Sequence, residues 1–234
     1  MSPRTEAFLA TKSGRRLSKL IRQHGPANVA AAGQHLWEKN VVRLVKHLVH
    51  KYGVHYVVLT GGTFLNIKIN SSIEALDEVG GVFVHPHTGD GSTAIGAAIE
   101  MNRMAGGKPA RMDLTDMGLG VDFTDVSIEM AIRRFGSALK YRKLGEPSTY
   151  AAGCIAEGKI IGWFHGREEY GPRSLGHRCI LADPRHIEVK NRMNRDIKGR
   201  ELWMPIGASI LAEYGDGYFQ DFVDSPHMTR VCTA

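Results

Sequence analysis

Two strand–glycine–helix units, one after the other, constrain the fold of this 234-residue chain more than any other feature. In the first, the apolar run His55-Tyr56-Val57-Val58-Leu59-Thr60 reads as a short buried strand. It enters Gly61-Gly62-Thr63-Phe64-Leu65-Asn66 directly, and a helix is predicted from Thr63 to Leu76. In the second, Val82-Phe83-Val84 leads into His85-Pro86-His87-Thr88-Gly89-Asp90-Gly91 and a helix of small residues, Ser92 to Met104. Repetition of this unit is the pattern of α/β proteins. A long helix precedes it: Val29, Leu36, Val41, Leu44, Val45 and Leu48 recur at helical spacing, Pro26 suits its start and Gly53 its stop.

Beyond the glycine-rich, aperiodic stretch from Gly106 to Gly120, where a domain boundary is placed, the pattern resumes. Helices are predicted there at 125–136, 151–157 and 185–196, and strands at Lys159–Phe164, Cys179–Ala182 and Ala208–Ala212; a further helix is predicted near the start of the chain, at 14–24. In the 185–196 helix, Val189, Met193 and Ile197 form the predicted buried stripe.

No apolar run approaches the length of a membrane span, and the polar N-terminal stretch has no signal-peptide core. Cys154, Cys179 and Cys232 show neither a CxxC spacing nor a disulfide pattern, which points to a reducing cytoplasm. The net charge of +6 favours an anionic partner without choosing between a nucleic acid and a phosphorylated small molecule. Arg4, Lys12, Arg15, Arg16, Lys19 and Arg22 make the first 25 residues basic, and a solvated helix face is the preferred reading over a nucleic-acid arm.

Three segments carry chemistry. Gly166 to Arg178 packs three arginines, three glycines and a proline into thirteen residues. Arginine presents a rigid fork of donors to phosphate or carboxylate, and glycine lets backbone N–H groups approach an anion. Arg167, Arg173 and Arg178 are therefore placed in an anion site, with Lys198 and Arg200 beside it and Glu168 and Glu169 orienting the guanidiniums by ion pairing. The alternative is a salt-bridged structural loop. Gly61, Gly62 and Asn66 fit a nucleotide-phosphate cradle at a helix N-terminus, or a tight turn without a ligand. His85, His87 and Asp90 suit part of a metal site, and Asp90 is equally a natural helix N-cap.

Taken together these segments resemble the carbamoyltransferase family that includes nodulation-factor and antibiotic O-carbamoyltransferases. GWFHGREEYGPRSLGHRCILADPR is similar to the signature of the family's C-terminal domain, and NRMNRDIKGRELWMPIGASIL to the stretch that follows it. GGTFLNIKIN and VFVHPHTGDGSTAIGAA resemble two motifs of the N-terminal domain, in the family's order. The resemblance implies an α/β chain: the second lobe of an actin-like, sugar-kinase-like domain over residues 1–118, then part of a YrdC-like α/β domain over 119–234. It implies formation of carbamoyl adenylate from carbamoyl phosphate and ATP, then transfer of the carbamoyl group to a hydroxyl of a small-molecule acceptor. By position, Asp90 matches a ligand of a divalent metal, iron or magnesium. Gly61, Gly62 and Asn66 match a nucleotide-contacting turn, and Arg167, Arg173, Arg178, Lys198 and Arg200 the carbamoyl-phosphate/ATP module. His85 and His87 match no family ligand, and Cys179 stands where the family commonly has serine.

The family's HxxxH histidines and its later DG(T/S)xR motif have no counterpart here, so a truncation at both ends is expected, and with it association with a second copy or a complementary subunit. Two other readings compete with an active enzyme. One is a catalytically inactive fragment that binds nucleotide or a partner. The other is an RNA-binding module, against which stand arginines interleaved with acids and no aromatic stacking platform.

Overall fold

A computed structural model describes residues 7–8, 10–108 and 113–233. It is a mixed α/β arrangement in two compact units: one runs up to Leu59 and includes Asn66–Val84, the other comprises Thr60–Leu65 and the chain from His85 onward.

In the first unit, α1 (Lys12–His24) starts at Thr11, whose hydroxyl accepts from the Gly14 N–H at 3.0 Å. Gly25, at φ 81°, ends α1 and turns the chain into α2 (Pro26–Tyr52). Gly53 closes α2 in the left-handed conformation, its N–H bonded to the Val49 carbonyl. Strand β1 (Tyr56–Leu59) pairs in parallel with β2 (Gly81–Val84), Tyr56 opposite Gly81 and Leu59 opposite Val84. The crossover between them contains α3 (Ile67–Glu74). The core is built from all four elements: Val45 and Val49 of α2, Leu59, Ile69 and Ile73 of α3, and Val84 are buried, together with the polar Asn70. Period-2 alternation sends Tyr56, Val58 and Phe83 to the opposite, exposed face of the two strands.

The second unit begins with a 3-10 turn, Gly62–Leu65, and continues with α4 (Ser92–Met104), α5 (Asp125–Arg134) and α6 (Pro147–Ala156). Strands β3 (Ile161–Phe164) and β4 (Arg178–Leu181) pair antiparallel, Ile161 opposite Leu181 and Phe164 opposite Arg178. Helix α7 (Ile187–Arg192) runs into a π-turn at Met193–Ile197. Met117, Ala151, Cys154 and Met193 are its buried apolar residues. All three cysteines are free thiols.

The structure departs from the sequence expectations in three elements. The helix predicted from Thr63 is broken into the 3-10 turn and α3, because Asn66 takes an extended backbone and caps α3. No strand forms over 208–212, where no neighbouring strand among the described residues offers a ladder. Met193 is buried as expected but Ile197 is 46% exposed, since the wider π-turn rotates it off the stripe.

Candidate functional site

The arginine segment is the connection between antiparallel strands β3 and β4, closed at its base by the His165 N–H donating to the His177 carbonyl at 2.8 Å. Gly166, Gly171 and Gly176 adopt φ of 68°, 118° and 109°, a region strained for any other residue. These turns curl the backbone around Glu169, which is 4% exposed. Its carboxylate accepts from the backbone N–H groups of Leu175 at 2.8 Å, His177 at 2.8 Å and Arg178 at 3.0 Å. Burial alone would raise its pKa, yet the converging N–H donors outweigh burial and hold it below the usual carboxylate range. The loop thus is an anion receptor in geometry, but the anion its backbone meets is its own glutamate, not an incoming phosphate.

The guanidiniums project from this frame, each anchored by one internal acceptor. Arg167 Nε donates to the Gly120 carbonyl at 2.7 Å, and an Arg173 terminal nitrogen to the Leu65 carbonyl at 3.0 Å. Arg178 pairs with Glu168. Glu168 therefore orients an arginine by ion pairing as expected, whereas Glu169 acts through the backbone instead. Most of the five donors on each guanidinium remain available to a ligand.

Arg173 ties the loop to the glycine turn, and Tyr170 ties it to the His85–Gly91 segment. The Tyr170 hydroxyl donates to the Gly91 carbonyl at 2.9 Å, and its ring meets His87 edge-on with centroids 4.9 Å apart. A Cβ on Gly171 would stand 3.4 Å from His87 Cβ, and one on Gly89 would stand 3.8 Å from Leu65 Cδ1. Within this one unit, the glycine turn, the HTGDG loop and the arginine loop are therefore neighbours. A Cβ on Gly61 or Gly62 would meet nothing within 4 Å, so the turn's backbone is open to a ligand. Asp90 does not cap α4: Gly91 occupies the N-cap position. The Asp90 carboxylate is exposed and unpaired among the described residues. His85 Nδ1 accepts from the His87 N–H at 3.1 Å. His87 Nδ1 and the hydroxyl of Thr88, itself 2% exposed, are buried without a partner among the described residues.

Asn66, Lys198 and Arg200 lie outside the arginine loop and have surroundings of their own. Asn66 belongs to the first unit, and both ends of its amide are engaged. Its Oδ1 accepts from the Ile69 N–H at 3.4 Å, and its Nδ2 donates to Gln34 Oε1 at 2.8 Å. The Lys198 side chain is exposed. Arg200 is held by Asn194 Oδ1 at 2.7 Å and the Pro205 carbonyl at 3.2 Å. No hydrogen bond or shared acceptor links either cation to the arginine loop among the described residues.

Two supports had no sequence signal strong enough to find them. Asn194 is fully buried and donates to the carbonyls of Leu202 at 3.3 Å and Met204 at 2.9 Å while accepting from Arg200, so it fixes the 194–205 loop. The glycine-rich 113–120 segment clamps the arginine loop: Tyr170 N–H donates to the Met117 carbonyl at 2.7 Å and Gly120 N–H to the Glu168 carbonyl at 2.9 Å. His177 Nδ1–H donates to the His165 carbonyl at 3.0 Å, which turns its Nε2 toward Asp116 at 3.5 Å. An arrangement of this kind, rigid at the backbone and cationic at the tips, suits polyoxyanion binding.

Comparison with known proteins identifies the family. A family model described as Carbamoyltransferase N-terminus matches residues 6–99, and one described as Carbamoyltransferase C-terminus matches residues 152–234. The boundary expected at 118 lies in the interval between the two matches. The nodulation protein NolNO of Sinorhizobium fredii is 32% identical over 194 residues, 82% of this chain and 28% of the relative. The nodulation protein NolO of Bradyrhizobium diazoefficiens is 32% identical over 194 residues, covering 82% of this chain and 35% of the relative. The 3'-hydroxymethylcephem-O-carbamoyltransferase of Amycolatopsis lactamdurans is 34% identical over 172 residues, 73% of this chain and 31% of the relative. The chain thus spans about a third of the length of the curated relatives it matches. With both halves of the family's pattern present in order, the chain belongs to the carbamoyltransferase family.

Proposed function

We propose that this chain contributes to O-carbamoyl transfer: it binds carbamoyl phosphate and ATP, takes part in forming carbamoyl adenylate, and passes the carbamoyl group to a hydroxyl of a small-molecule acceptor. The observation that carries the reading is the tie between the arginine loop and the glycine turn, Arg173 to the Leu65 carbonyl at 3.0 Å, which joins the motifs of the two matched family halves in one compact unit. The actin-like and YrdC-like assignments of the two halves, with a division near residue 118, belong to the same proposal.

The chemistry asks for what these residues supply. Water first cleaves carbamoyl phosphate to carbamate and inorganic phosphate; a carbamate oxygen attacks the α-phosphorus of ATP and pyrophosphate leaves; the acceptor oxygen then attacks the carbamoyl carbon, AMP leaves, and the hydroxyl proton passes to a base. Negative charge builds on phosphoryl and carbamoyl oxygens at each stage, and pre-oriented guanidiniums stabilise it where water is displaced. Arg167, Arg173 and Arg178 are pre-oriented by their anchors, and Gly61 and Gly62 leave open backbone beside them. Asn66 caps α3, and its contact with nucleotide belongs to the same proposal. Lys198 and Arg200 extend the cationic character of the C-terminal half.

A divalent metal fits this chain's own residues poorly. Among the described residues no three His, Cys, Asp or Glu side chains gather to hold one, and Asp90 stands alone.

Calorimetric titration of the chain with ATP and with carbamoyl phosphate tests the proposal. Binding of both, weakened at least tenfold by Arg173→Ala, is the expected result. Absence of binding by the intact chain, or binding indifferent to Arg173, overturns it. Binding with no carbamoyl-phosphate-dependent ATP turnover assigns the chain a binding role only.

A further inference from the structure

Helix α1 carries five cations, Lys12, Arg15, Arg16, Lys19 and Arg22, at spacings of three, one, three and three residues. At 3.6 residues per turn these positions share one face, and at 1.5 Å per residue they form a stripe about 15 Å long. All five are exposed. No aspartate or glutamate occurs between Ala7 and Trp37, so neighbours at i,i+3 and i,i+4 repel without compensation.

Elsewhere cations alternate with acids, and eight of them are paired among the described residues. Lys46 pairs with Glu78, Arg103 with Glu100, Arg133 with Glu129, Lys143 with Asp125, Lys159 with Glu157, Arg178 with Glu168, Arg185 with Asp183 and Arg195 with Asp196. Among the described residues, none of the five α1 cations has an ion-pair partner; Arg15 reaches only the Ala10 carbonyl. A merely solvated surface helix gains from interspersed acids, as α5 and its Glu129–Arg133 pair illustrate. A helix from which acids are excluded has a surface suited to an external polyanion.

We infer that the exposed face of α1 binds the phosphate backbone of a nucleic acid without reading its sequence. The face is solvated in the free chain, as expected, and the inference adds an external polyanion to it, because folding collects the basic residues onto one unpaired stripe. A duplex carries one charge per about 1.7 Å of axis, so a stripe of about 15 Å lies along roughly nine phosphates, more than its cations number. A membrane surface is the poorer match. Insertion needs a broad free apolar flank, whereas Gly14 is buried, Leu17 and Ile21 are half-buried, and of the helix's large apolar residues Leu20 alone is exposed. Helix α1 also carries no aromatic residue.

Fluorescence anisotropy with a labelled 25-base-pair duplex, at salt from 50 to 200 mM, tests this on the whole chain. Engagement of all five cations gives a slope of log K against log salt of about −4.5, a loss of roughly 500-fold over that range. Replacing Arg15, Lys19 and Arg22 by glutamine, a residue that favours helix as they do, leaves two cations and a slope of about −1.8. A matched control, Lys39→Gln with Arg134→Gln and Lys140→Gln, removes three exposed cations elsewhere and retains the original slope. Far-UV circular dichroism verifies that both variants keep their helix. Absence of binding at 50 mM salt, or a slope that the α1 substitutions leave unchanged or that the control lowers equally, overturns the inference. Binding to phosphatidylserine vesicles without binding to the duplex also overturns it, in favour of a membrane surface.

Discussion

The Tyr170 hydroxyl donates to the Gly91 carbonyl at 2.9 Å, while its ring lies edge-on to His87 with centroids 4.9 Å apart. One side chain therefore holds the HTGDG loop by two different forces, and they are separable. Tyr170→Phe keeps the ring contact and deletes the hydrogen bond, at a cost of about 0.5–1.5 kcal/mol. The low end is expected, because Gly91 is exposed and water can replace the donor. Urea denaturation gives the stability difference, and hydrogen exchange shows faster opening at residues 91–93. Burial also pushes the Tyr170 hydroxyl pKa up, so ultraviolet titration of this tyrosine ends above that of an exposed one.

Glu169 gives the arginine loop its pH dependence. Its folded-state pKa lies below the ordinary carboxylate value of about 4.3. The stabilisation is then fully present above that value and is lost as pH falls through the folded-state pKa. Glu169→Gln removes the charge and points an amide at three N–H donors, costing roughly 2–4 kcal/mol at pH 7. The gap between the two proteins narrows as pH is lowered from 7 toward 2, followed by denaturant midpoints at each pH. Asp183, held at about pKa 2 by the Arg185 side chain and its backbone N–H, loses its contribution over the same acid range.

Two glycine substitutions act in opposite directions. A Cβ on Gly120 would stand 2.8 Å from Glu168 Cβ and 2.9 Å from the Glu168 carbonyl oxygen, part of the backbone that the clamp depends on. Gly120→Ala destabilises by about 1–3 kcal/mol. Gly153, inside α6 with nothing within 4 Å of an added Cβ, behaves differently. Gly153→Ala stabilises by about 0.4–1 kcal/mol through the unfolded state. Thermal unfolding that ranks the two in the reverse order would contradict the packing described.

Asn194 is the test of the 194–205 loop. Asn194→Leu strands the Arg200 guanidinium and two carbonyls and costs roughly 2–4 kcal/mol. Asn194→Asp keeps the shape but turns an acceptor toward the Leu202 and Met204 carbonyls, so its penalty is larger at pH 7 than at pH 4, where the new carboxyl is partly protonated. Proteolysis within 198–205 reports the loosened loop.

The sequence was informative wherever one local force decides the structure. The Pro26–Tyr52 helix is legible because proline, apolar periodicity and Gly53 agree, and Ser92–Met104 because small helix formers follow a glycine turn. Ile197 leaves the predicted stripe because a π-turn shifts phase without any residue that announces it. The expected strand at 208–212 failed because a strand is a pairing, and pairing is a property of neighbours that a single segment does not contain. At the site, the arginines were legible as a composition, but Glu169 looked like one more charge among several. Its role depends on three N–H groups six to nine residues downstream turning back, which composition does not encode. Asn194 sat unnoticed within a run of charges for the same reason.

A loop that folds around its own carboxylate has a shape that precedes any visitor. An incoming oxyanion meets guanidiniums already supported from behind and need not organise the backbone that carries them. Such a receptor is distinguished by the speed and small entropy loss of its encounter, and on acidification a phosphate guest, whose second ionisation lies at about 6, takes up a proton before the glutamate at the receptor's centre does.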